Sequence, residues 1–445
     1  MNERPHLPLF ESYTELPSSE EIAFGEVVAI NLTAHTSPYT HGLHRYPAKF
    51  IPQIPRWAIG EFSGEGDRVL DPFMGSGTTI VEAAVANRIG VGVDLDPLAC
   101  LLARAKTAFY DIDELLRLQD ALAKSVVRED SDLTVPMEGV KNFEHWFARH
   151  TWGTLQNIRN NILSLDCSAE SREFLLSVFS SILRRVSNAD DQTQKTYVSR
   201  TLKKDPPLAR PTFFRQLERA IKAASSFGDA GGRHRTLVHN ASATALPLAD
   251  NNIDLIVTSP PYLDSVDYMY NMMVEYFWLG DVLGIPARPD FNEARKNYLG
   301  SKTPNFEPEV PREISNLIAF DSLPDYRKKA AVAYFAKMDE HFAEAARVLK
   351  TGRHYVLVIG NSQTEKGQLP VHDALVAIAA RHGFSLQHAF GYRIRRHYMK
   401  FPRKGRGGII LMDWVITLRK EPSDHVAIRR LPMPDIRISP DSVAH

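Results

Sequence analysis

Short apolar runs alternate with amphipathic helical patterns in two stretches of this chain. The helical patterns cover residues 54–62, 80–87, 98–107 and 334–349. The apolar runs predict strands over 68–71, 89–94, 236–240, 253–257, 354–359, 386–392 and 409–418. Strand and helix follow each other in the order of a doubly wound parallel sheet, so we predict an α/β fold of the dinucleotide-binding type.

The stretch between the two strand-containing parts has a different pattern. From 111 to 232 the apolar positions recur at helical spacing, as at Phe174, Val178 and Ile182, which predicts a large helical insertion. A second excursion, over 263–330, is rich in aromatic residues and prolines. The predicted organisation is an N-terminal arm (1–40), a cofactor-binding half (41–110), the helical insertion (111–232), a catalytic half (233–420, including 263–330) and a C-terminal tail (421–445).

Composition narrows the class of protein. The 445 residues carry 53 basic and 53 acidic side chains, so any contact with nucleic acid must come from locally basic segments. The two cysteines, Cys100 and Cys167, exclude a disulfide framework and a clustered thiolate zinc site. With no apolar stretch of membrane-spanning length and no signal core, we expect a cytoplasmic protein without a membrane partner.

The most informative motif follows the strand over 253–257. It is Thr258-Ser259-Pro260-Pro261-Tyr262, in which two prolines end the strand and force a stiff, extended exit. A hydroxyl, free carbonyls and a tyrosine ring are thereby placed at the carboxyl edge of the sheet, where ligands bind in open α/β folds. These groups suit an enzyme that works on the exocyclic amine of a nucleobase. A plain proline-rich turn is the alternative interpretation.

A glycine loop at 71–79 joins the first strand to its helix. It lacks the Gly-Lys-Ser/Thr ending of a phosphate loop, so a nucleoside triphosphate is disfavoured. Asp71 offers an acceptor for a cationic amino group, and Asp94, at the end of the next strand, offers one for ribose hydroxyls. Together they fit S-adenosylmethionine, with a generic nucleotide-binding turn as the alternative. Asp96 is expected to cap the helix that begins near Pro97.

The sequence Asp-Pro-Phe-Met-Gly-Ser-Gly-Thr-Thr at 71–79, together with Thr-Ser-Pro-Pro-Tyr at 258–262, resembles the amino-methylating DNA methyltransferases, which make N4-methylcytosine or N6-methyladenine. The segment His-Arg-Tyr-Pro-Ala-Lys-Phe-Ile-Pro at 44–52 is similar to the N-terminal cofactor motif of that family. The resemblance covers 41–110 and 235–420. It implies a Rossmann-like class I methyltransferase sheet and restriction-modification chemistry, and it leaves open whether a partner nuclease exists.

The resemblance also implies roles for individual residues. Catalytic roles fall on Ser259, Pro260, Pro261 and Tyr262. Cofactor binding falls on Tyr46, Pro47, Ala48, Lys49, Phe50, Asp71, Pro72, Phe73, Gly75, Ser76, Gly77, Thr78, Thr79, Asp94, Leu95, Asn240 and Ala241, with Ser242 beside them. Asn240 stands where the family commonly has an acid.

The chemistry expected at the turn follows from the amine itself. Its lone pair is delocalised into the ring, so acceptors such as the Ser259 hydroxyl and the Pro260 carbonyl would hold its hydrogens while Tyr262 stacks on the ring. The base must leave the duplex to be reached, and no metal is required. Ser259 favours cytosine, because the family's adenine enzymes more often carry Asp or Asn there. Neither cysteine is placed for the thiolate attack that methylation of carbon 5 needs.

Contact with double-stranded DNA is predicted from a loop between the last two strands. It is one-sidedly basic and consists of Arg393, Arg395, Arg396, Lys400, Arg403, Lys404 and Arg406 with interleaved aromatic residues. A second basic stretch, from Arg184 to Lys204, lies in the helical insertion and is either a recognition surface or a solvated helical face. Asp264, Asp267 and Tyr268, after the turn, either shape the base pocket or cap a helix.

Three other functions remain as alternatives. The first is methylation of RNA, although the sequence contains no recognisable RNA-binding module. The second is methylation of a glutamine side chain, which is disfavoured because those enzymes resemble an Asn-Pro-Pro-Tyr version of the turn. The third is a binding protein without turnover, disfavoured by the intact glycine loop, Asp94 and the Ser-Pro-Pro-Tyr turn.

Overall fold

The architecture is a long, mostly parallel sheet with helices on both faces. The computed structural model describes residues 12–422 except 31–37, 48, 127–132, 192–194, 202, 233–235, 264–266, 300–314, 317–322, 365–366 and 394–411. Its strands are β1 (Ser12–Tyr13), β2 (Val27–Ile30), β3 (Arg68–Asp71), β4 (Ile89–Asp94), β5 (Leu237–Asn240), β6 (Ile253–Thr258), β7 (Leu349–Gly360), β8 (Ser362–Thr364), β9 (Gly367–Leu369), β10 (Phe384–Arg393) and β11 (Met412–Lys420). All but the small β8–β9 hairpin belong to one sheet.

The α-helices of the described residues are α1 (Gln53–Phe62), α2 (Thr78–Val85), α3 (Pro97–Thr107), α4 (Ile112–Ser125), α5 (Phe143–Trp146), α6 (Arg149–Ser164), α7 (Ala169–Val186), α8 (Ala209–Asp229), α9 (Tyr268–Asn271), α10 (Met273–Leu279), α11 (Arg288–Ala294), α12 (Asp325–Val348) and α13 (Val371–Arg381). None of these helices is long and apolar enough to cross a membrane. Asp96 caps α3 as predicted, since its carboxylate accepts from the N–H groups of Leu98 and Ala99 at 2.8 and 3.2 Å.

The strand order determines at which edge of the sheet a ligand can bind. It runs β1-β2-β10-β11-β7-β6-β3-β4-β5, with β11 antiparallel to β10 and β7 and the other neighbours parallel. From β3 the chain proceeds outward through β4 and β5, then returns to place β6 on the other side of β3. Such a reversal opens a crevice at the carboxyl ends of the two central strands. The predicted doubly wound fold is confirmed.

Most residues of the central strands β3, β4 and β6 are apolar because both faces of these strands are covered. In β7, Leu357 and Ile359 face the core beneath α12 and α13, while Val356 and Val358 face the core beneath α1 and α2. This alternation follows from the two-residue period of a strand. A continuous run of β-branched and other apolar residues therefore gives a buried central strand here.

The predicted irregular arm over 1–40 is partly wrong. Within the described residues of that segment, Val27–Ile30 forms β2, which pairs in parallel with β10, and Ser12–Tyr13 pairs with β2. Val28 and Ile30 are buried against the core that also holds Trp57 and Phe390. Four residues at the side of a sheet gain most of their stability from the neighbouring strand, so their own sequence gives only a weak signal.

The two long excursions from the sheet pack together as one helical unit. Helices α4 to α8 occupy the first excursion, and within its described residues the only strand-like pairing is a single bridge between Glu138 and Ala287 of the second excursion. Trp278 of α10 is fully buried, with its ring centroid 5.5, 5.6 and 5.9 Å from those of Phe143, Phe147 and Phe179. The segment that follows the Ser-Pro-Pro-Tyr turn is thus fixed against the helical insertion.

This shared core predicts a long-range effect on stability. Trp278→Ala should lower the free energy of unfolding by about 3–5 kcal/mol, because it leaves a large cavity among the aromatic rings. The loss of hydrogen-exchange protection should reach α6 and α7. Phe342→Ala is the matched control, since Phe342 is equally buried in the core beneath α12. Unchanged protection of α6 and α7 in the Trp278 variant would contradict a common core.

Candidate active site

A cleft opens at the carboxyl ends of β3, β4 and β6, at the strand-order reversal. It encloses about 950 Å³ including its open mouth. One wall comes from the glycine loop and Asp94, and the other from Ser259 and Pro261 of the turn after β6. The two motifs that the sequence analysis singled out are therefore brought to the same space.

The glycine loop is held by close packing and positive backbone dihedrals. Gly77, which precedes α2, has φ 82°, and a Cβ there would lie 3.1 Å from the Cβ of Ala103. Gly75 has φ 48°, and a Cβ would lie 3.0 Å from the Tyr46 ring. Lys106 is fully buried beneath the loop and donates to the Ser76 carbonyl at 2.8 Å. The loop backbone is thus fixed in the form that faces the cleft.

Asp71 connects the two central strands at the base of the cleft. Its carboxylate accepts from the Thr258 hydroxyl at 2.6 Å, the Thr79 hydroxyl at 2.7 Å and the Phe73 N–H at 3.1 Å. Burial raises the pKa of Asp71 to about 6, although these three donors act in the opposite direction. Thr79 therefore points at Asp71, and the carboxylate that was predicted to face a cofactor also ties β3 to β6.

Asp94 lies at the end of β4 with both oxygens engaged. Oδ2 accepts from the Gly75 N–H at 2.8 Å and Oδ1 from the Asp96 N–H at 2.9 Å. Burial raises the pKa of Asp94 to about 7, and the neighbouring Asp96 raises it further, while the two hydrogen bonds lower it. The neighbouring Leu95 is 37% exposed although apolar, and it lines the cleft. A carboxylate beside an exposed apolar surface suits a ribose and its attached base.

The segment before α1 closes the cofactor side. Tyr46, Pro47, Lys49 and Phe50 all line the cleft, and Ala48 lies outside the described residues. The Lys49 ammonium donates to the His41 carbonyl at 2.5 Å, and burial lowers the pKa of Lys49 to about 8.

Known proteins with related sequences fit this geometry. A family model described as DNA methylase matches residues 17–105, which contain the segment before α1, the glycine loop and Asp94. The Type II methyltransferase M.MvaI of Kocuria varians is 25% identical over 416 residues, covering 84% of this chain and 86% of that protein. These matches support an amino-methylating DNA methyltransferase.

Two further relatives match shorter parts of the methyltransferase. M.MjaII of Methanocaldococcus jannaschii is 41% identical over 88 residues, covering 20% of this chain and 17% of that protein. M.BsoBI of Geobacillus stearothermophilus is 23% identical over 278 residues, covering 56% of this chain and 55% of that protein. Both proteins are named Type II methyltransferases.

The cofactor of the methyltransferase is S-adenosylmethionine, as the sequence predicted. The residues present fit it. The cleft offers two carboxylates for an ammonium and a ribose, and apolar side chains for the adenine. The Tyr298 side chain also lines the cleft.

Some predicted residues do not line the cleft of the methyltransferase. The Asn240 amide donates to the carbonyls of Asp94 and Leu95, both at 3.0 Å, and the Ala241 N–H donates to Asp94 as well, so this pair fixes the end of β4. Gly77 and Thr79 support the loop from behind, and Pro260 is buried. Of the predicted DNA loop only Arg393 is described, at the end of β10. Asp264 also lies outside the described residues, while Asp267 caps α9 by accepting from the Tyr270 N–H.

Seven cleft residues were not among the predicted site residues. They are Met74, Ala243, Thr244, Asn297, Tyr298, Leu299 and Lys337. The Lys337 ammonium donates to the Asn297 carbonyl at 3.0 Å, which joins α12 to the excursion after the catalytic turn. A polar residue on an amphipathic helix gives no local sign that it faces a ligand. Neither cysteine lines the cleft, and burial raises the pKa of the Cys100 thiol, which disfavours a thiolate.

Tyr262 contacts a buried polar pair at the rear of the turn. The Tyr392 hydroxyl donates to Asp413 Oδ2 at 2.8 Å. Burial raises the pKa of Asp413 to about 6, whereas Tyr392 and Tyr262 lower it. Tyr262 in turn is close to Ser259. Asp413 is therefore placed to orient the catalytic turn from behind.

We expect Asp413→Asn to slow methyl transfer by roughly fivefold at saturating cofactor, equivalent to about 1 kcal/mol for one weakened hydrogen bond. The dissociation constant for S-adenosylmethionine should be unchanged, because Asp413 does not line the cleft. Tyr392→Phe is the matched control and should give a smaller effect in the same direction. A change in cofactor affinity without a change in turnover would contradict this role.

Proposed function

We propose that this protein transfers the methyl group of S-adenosylmethionine to the N4 amine of a cytosine flipped out of double-stranded DNA. The observation that carries the proposal is that Ser259 and Pro261 line the same cleft as Asp94 and the glycine loop. A cofactor held on one wall and an amine held on the other would meet inside this space.

The cofactor wall has the groups that each end of S-adenosylmethionine needs. We assign the ribose to Asp94, the adenine to Leu95 and Ser242–Thr244, and the methionine end to Asp71, Phe73, and the backbone of Gly75 and Ser76. Tyr46, Pro47, Lys49 and Phe50 would cover the same end. When bound, the cofactor supplies an electrophilic methyl group.

The opposite wall would prepare the amine. The Ser259 hydroxyl and the Pro260 carbonyl would accept its two hydrogens, which favours a geometry in which the nitrogen lone pair leaves conjugation with the ring. Two successive prolines keep these acceptors in place without reorganisation. Tyr268 lines the cleft and is our candidate for stacking on the flipped base, whereas Tyr262, which does not line the cleft and contacts Asp413, would support the turn.

Cytosine is favoured over adenine by the serine at position 259. The decisive experiment exposes DNA that lacks modified bases to the protein and S-adenosylmethionine and identifies the nucleosides by mass spectrometry. We expect N4-methylcytosine. N6-methyladenine would overturn the base assignment alone, while methyl transfer only to RNA or to protein would overturn the substrate class.

A further inference from the structure

A second cleft lies in the helical insertion, between α7, α8 and the segment before Tyr46. It encloses about 560 Å³ including open solvent. Four arginines line it, namely Arg45, Arg185 of α7, and Arg215 and Arg219 one turn apart on α8. No position in it carries an acidic side chain.

Three of these arginines form no salt bridge among the described residues. Arg185, Arg215 and Arg219 are exposed, and none has a carboxylate within ion-pair distance among the described residues. The nearest acid in sequence, Glu218, pairs with Lys222 at 2.8 Å. In a chain with zero net charge, three unpaired guanidinium groups converging on one concave surface favour an anion with several acceptor oxygens.

Hydrogen bonds that do not involve these three guanidinium groups hold the rest of the cleft in place. The Gln216 amide donates to the Leu43 carbonyl at 3.2 Å, which attaches the segment before Tyr46 to α8. Arg45 donates to the Asp191 carbonyl at 2.5 Å. The cleft is thus a concave surface between two helices and a loop that hydrogen bonds hold in place.

Two cations of the basic stretch expected from the sequence have a structural role. Arg184 is buried and donates to the carbonyls of Asp190 and Lys195, and Lys204 donates to those of Arg184 and Ala189. These cations hold the loop after α7. Arg185, the next residue, points the other way into the basic cleft.

The position of the basic cleft relative to the active-site cleft indicates which ligand it binds. Arg45 lines this cleft and Tyr46 lines the active-site cleft, so consecutive residues, whose Cα atoms are about 3.8 Å apart, line the two clefts. We infer that Arg185, Arg215 and Arg219 bind the phosphate backbone of the DNA duplex whose flipped base enters the active site. This inference rests on the proposed function.

The test is the salt dependence of binding to a fluorescein-labelled DNA duplex of mixed sequence, measured by anisotropy. The variant Arg185→Gln/Arg215→Gln/Arg219→Gln should make the slope of log Kobs against log salt shallower by about 1 to 3, since each phosphate contact contributes about 0.9. At low salt its affinity should fall by about one to two orders of magnitude. Its dissociation constant for S-adenosylmethionine should stay that of the wild type.

The control is Arg117→Gln/Lys124→Gln/Lys141→Gln. It removes the same charge from exposed residues that do not line the basic cleft, and its slope should change far less. Equal slopes for the two variants, or a loss confined to structured RNA, would overturn the inference. If the wild type methylates DNA while the cleft variant binds it normally, only this inference fails. A wild type that neither binds nor methylates DNA overturns the proposed function as well.

Discussion

Replacing Ser259 by alanine should lower the rate of methyl transfer to DNA by about 100- to 1,000-fold, the usual cost of removing one preorganised polar group from a transition state. Ser259 lines the same cleft as the glycine loop, and its hydroxyl would accept a hydrogen of the target amine there. Among the described residues the Ser259 side chain makes no hydrogen bond to the glycine loop or to Asp94, so the affinity for S-adenosylmethionine should not change.

Single-turnover transfer of a labelled methyl group measures the first quantity and calorimetry the second. Ser259→Thr is the control, since it keeps a hydroxyl at the same position and should retain much more activity than the alanine variant. A Ser259→Ala protein that turns over like the wild type, or that loses cofactor binding together with activity, would contradict the assigned role.

Replacing Asp94 by asparagine should weaken S-adenosylmethionine binding by about 2–3 kcal/mol, on the order of 100-fold, the range expected when a charged acceptor is lost. Two effects add. The ribose hydroxyls lose an anionic acceptor, and one of the N–H groups of Gly75 and Asp96 faces an amide that cannot accept from it.

The same residue gives the expected pH dependence. With its pKa raised to about 7 in the free protein, Asp94 is largely protonated below that pH, and only the carboxylate can accept from two ribose hydroxyls. Cofactor affinity should therefore rise as the pH increases from about 6 to about 8 and then level off, with a proton released on binding near neutrality. Calorimetry in buffers of different ionisation enthalpy measures both.

In the Asp94→Asn protein this rise should disappear. Asp71 also titrates, with a pKa of about 6. The Asp94→Asn variant keeps Asp71, so it distinguishes the effects of the two carboxylates. A rise that persists around pH 7 in the absence of Asp94 would show that another group controls cofactor binding.

Some features of the methyltransferase followed from the sequence because their causes are local. The bounds of β3 and β4 match the predicted 68–71 and 89–94, since short apolar runs between Gly, Asp and Pro residues leave few alternatives. The Asp96 cap depends only on the next three residues. The motifs at 71–79 and 258–262 were both placed at strand ends, and strand ends of a parallel sheet share an edge.

Other features depend on contacts between distant segments, which only the folded chain decides. β2 exists because β10 lies beside it, and Asn240 binds the end of β4 because β5 is its neighbour. The basic cleft combines arginines from three segments that the linear charge pattern does not connect. Local sequence sets backbone preferences and strand ends, whereas the partner of each buried or charged group is set by packing between residues far apart in the chain. The sequence by itself therefore determined that the glycine loop and the Ser-Pro-Pro-Tyr turn lie at strand ends, and the tertiary structure determined what surrounds them.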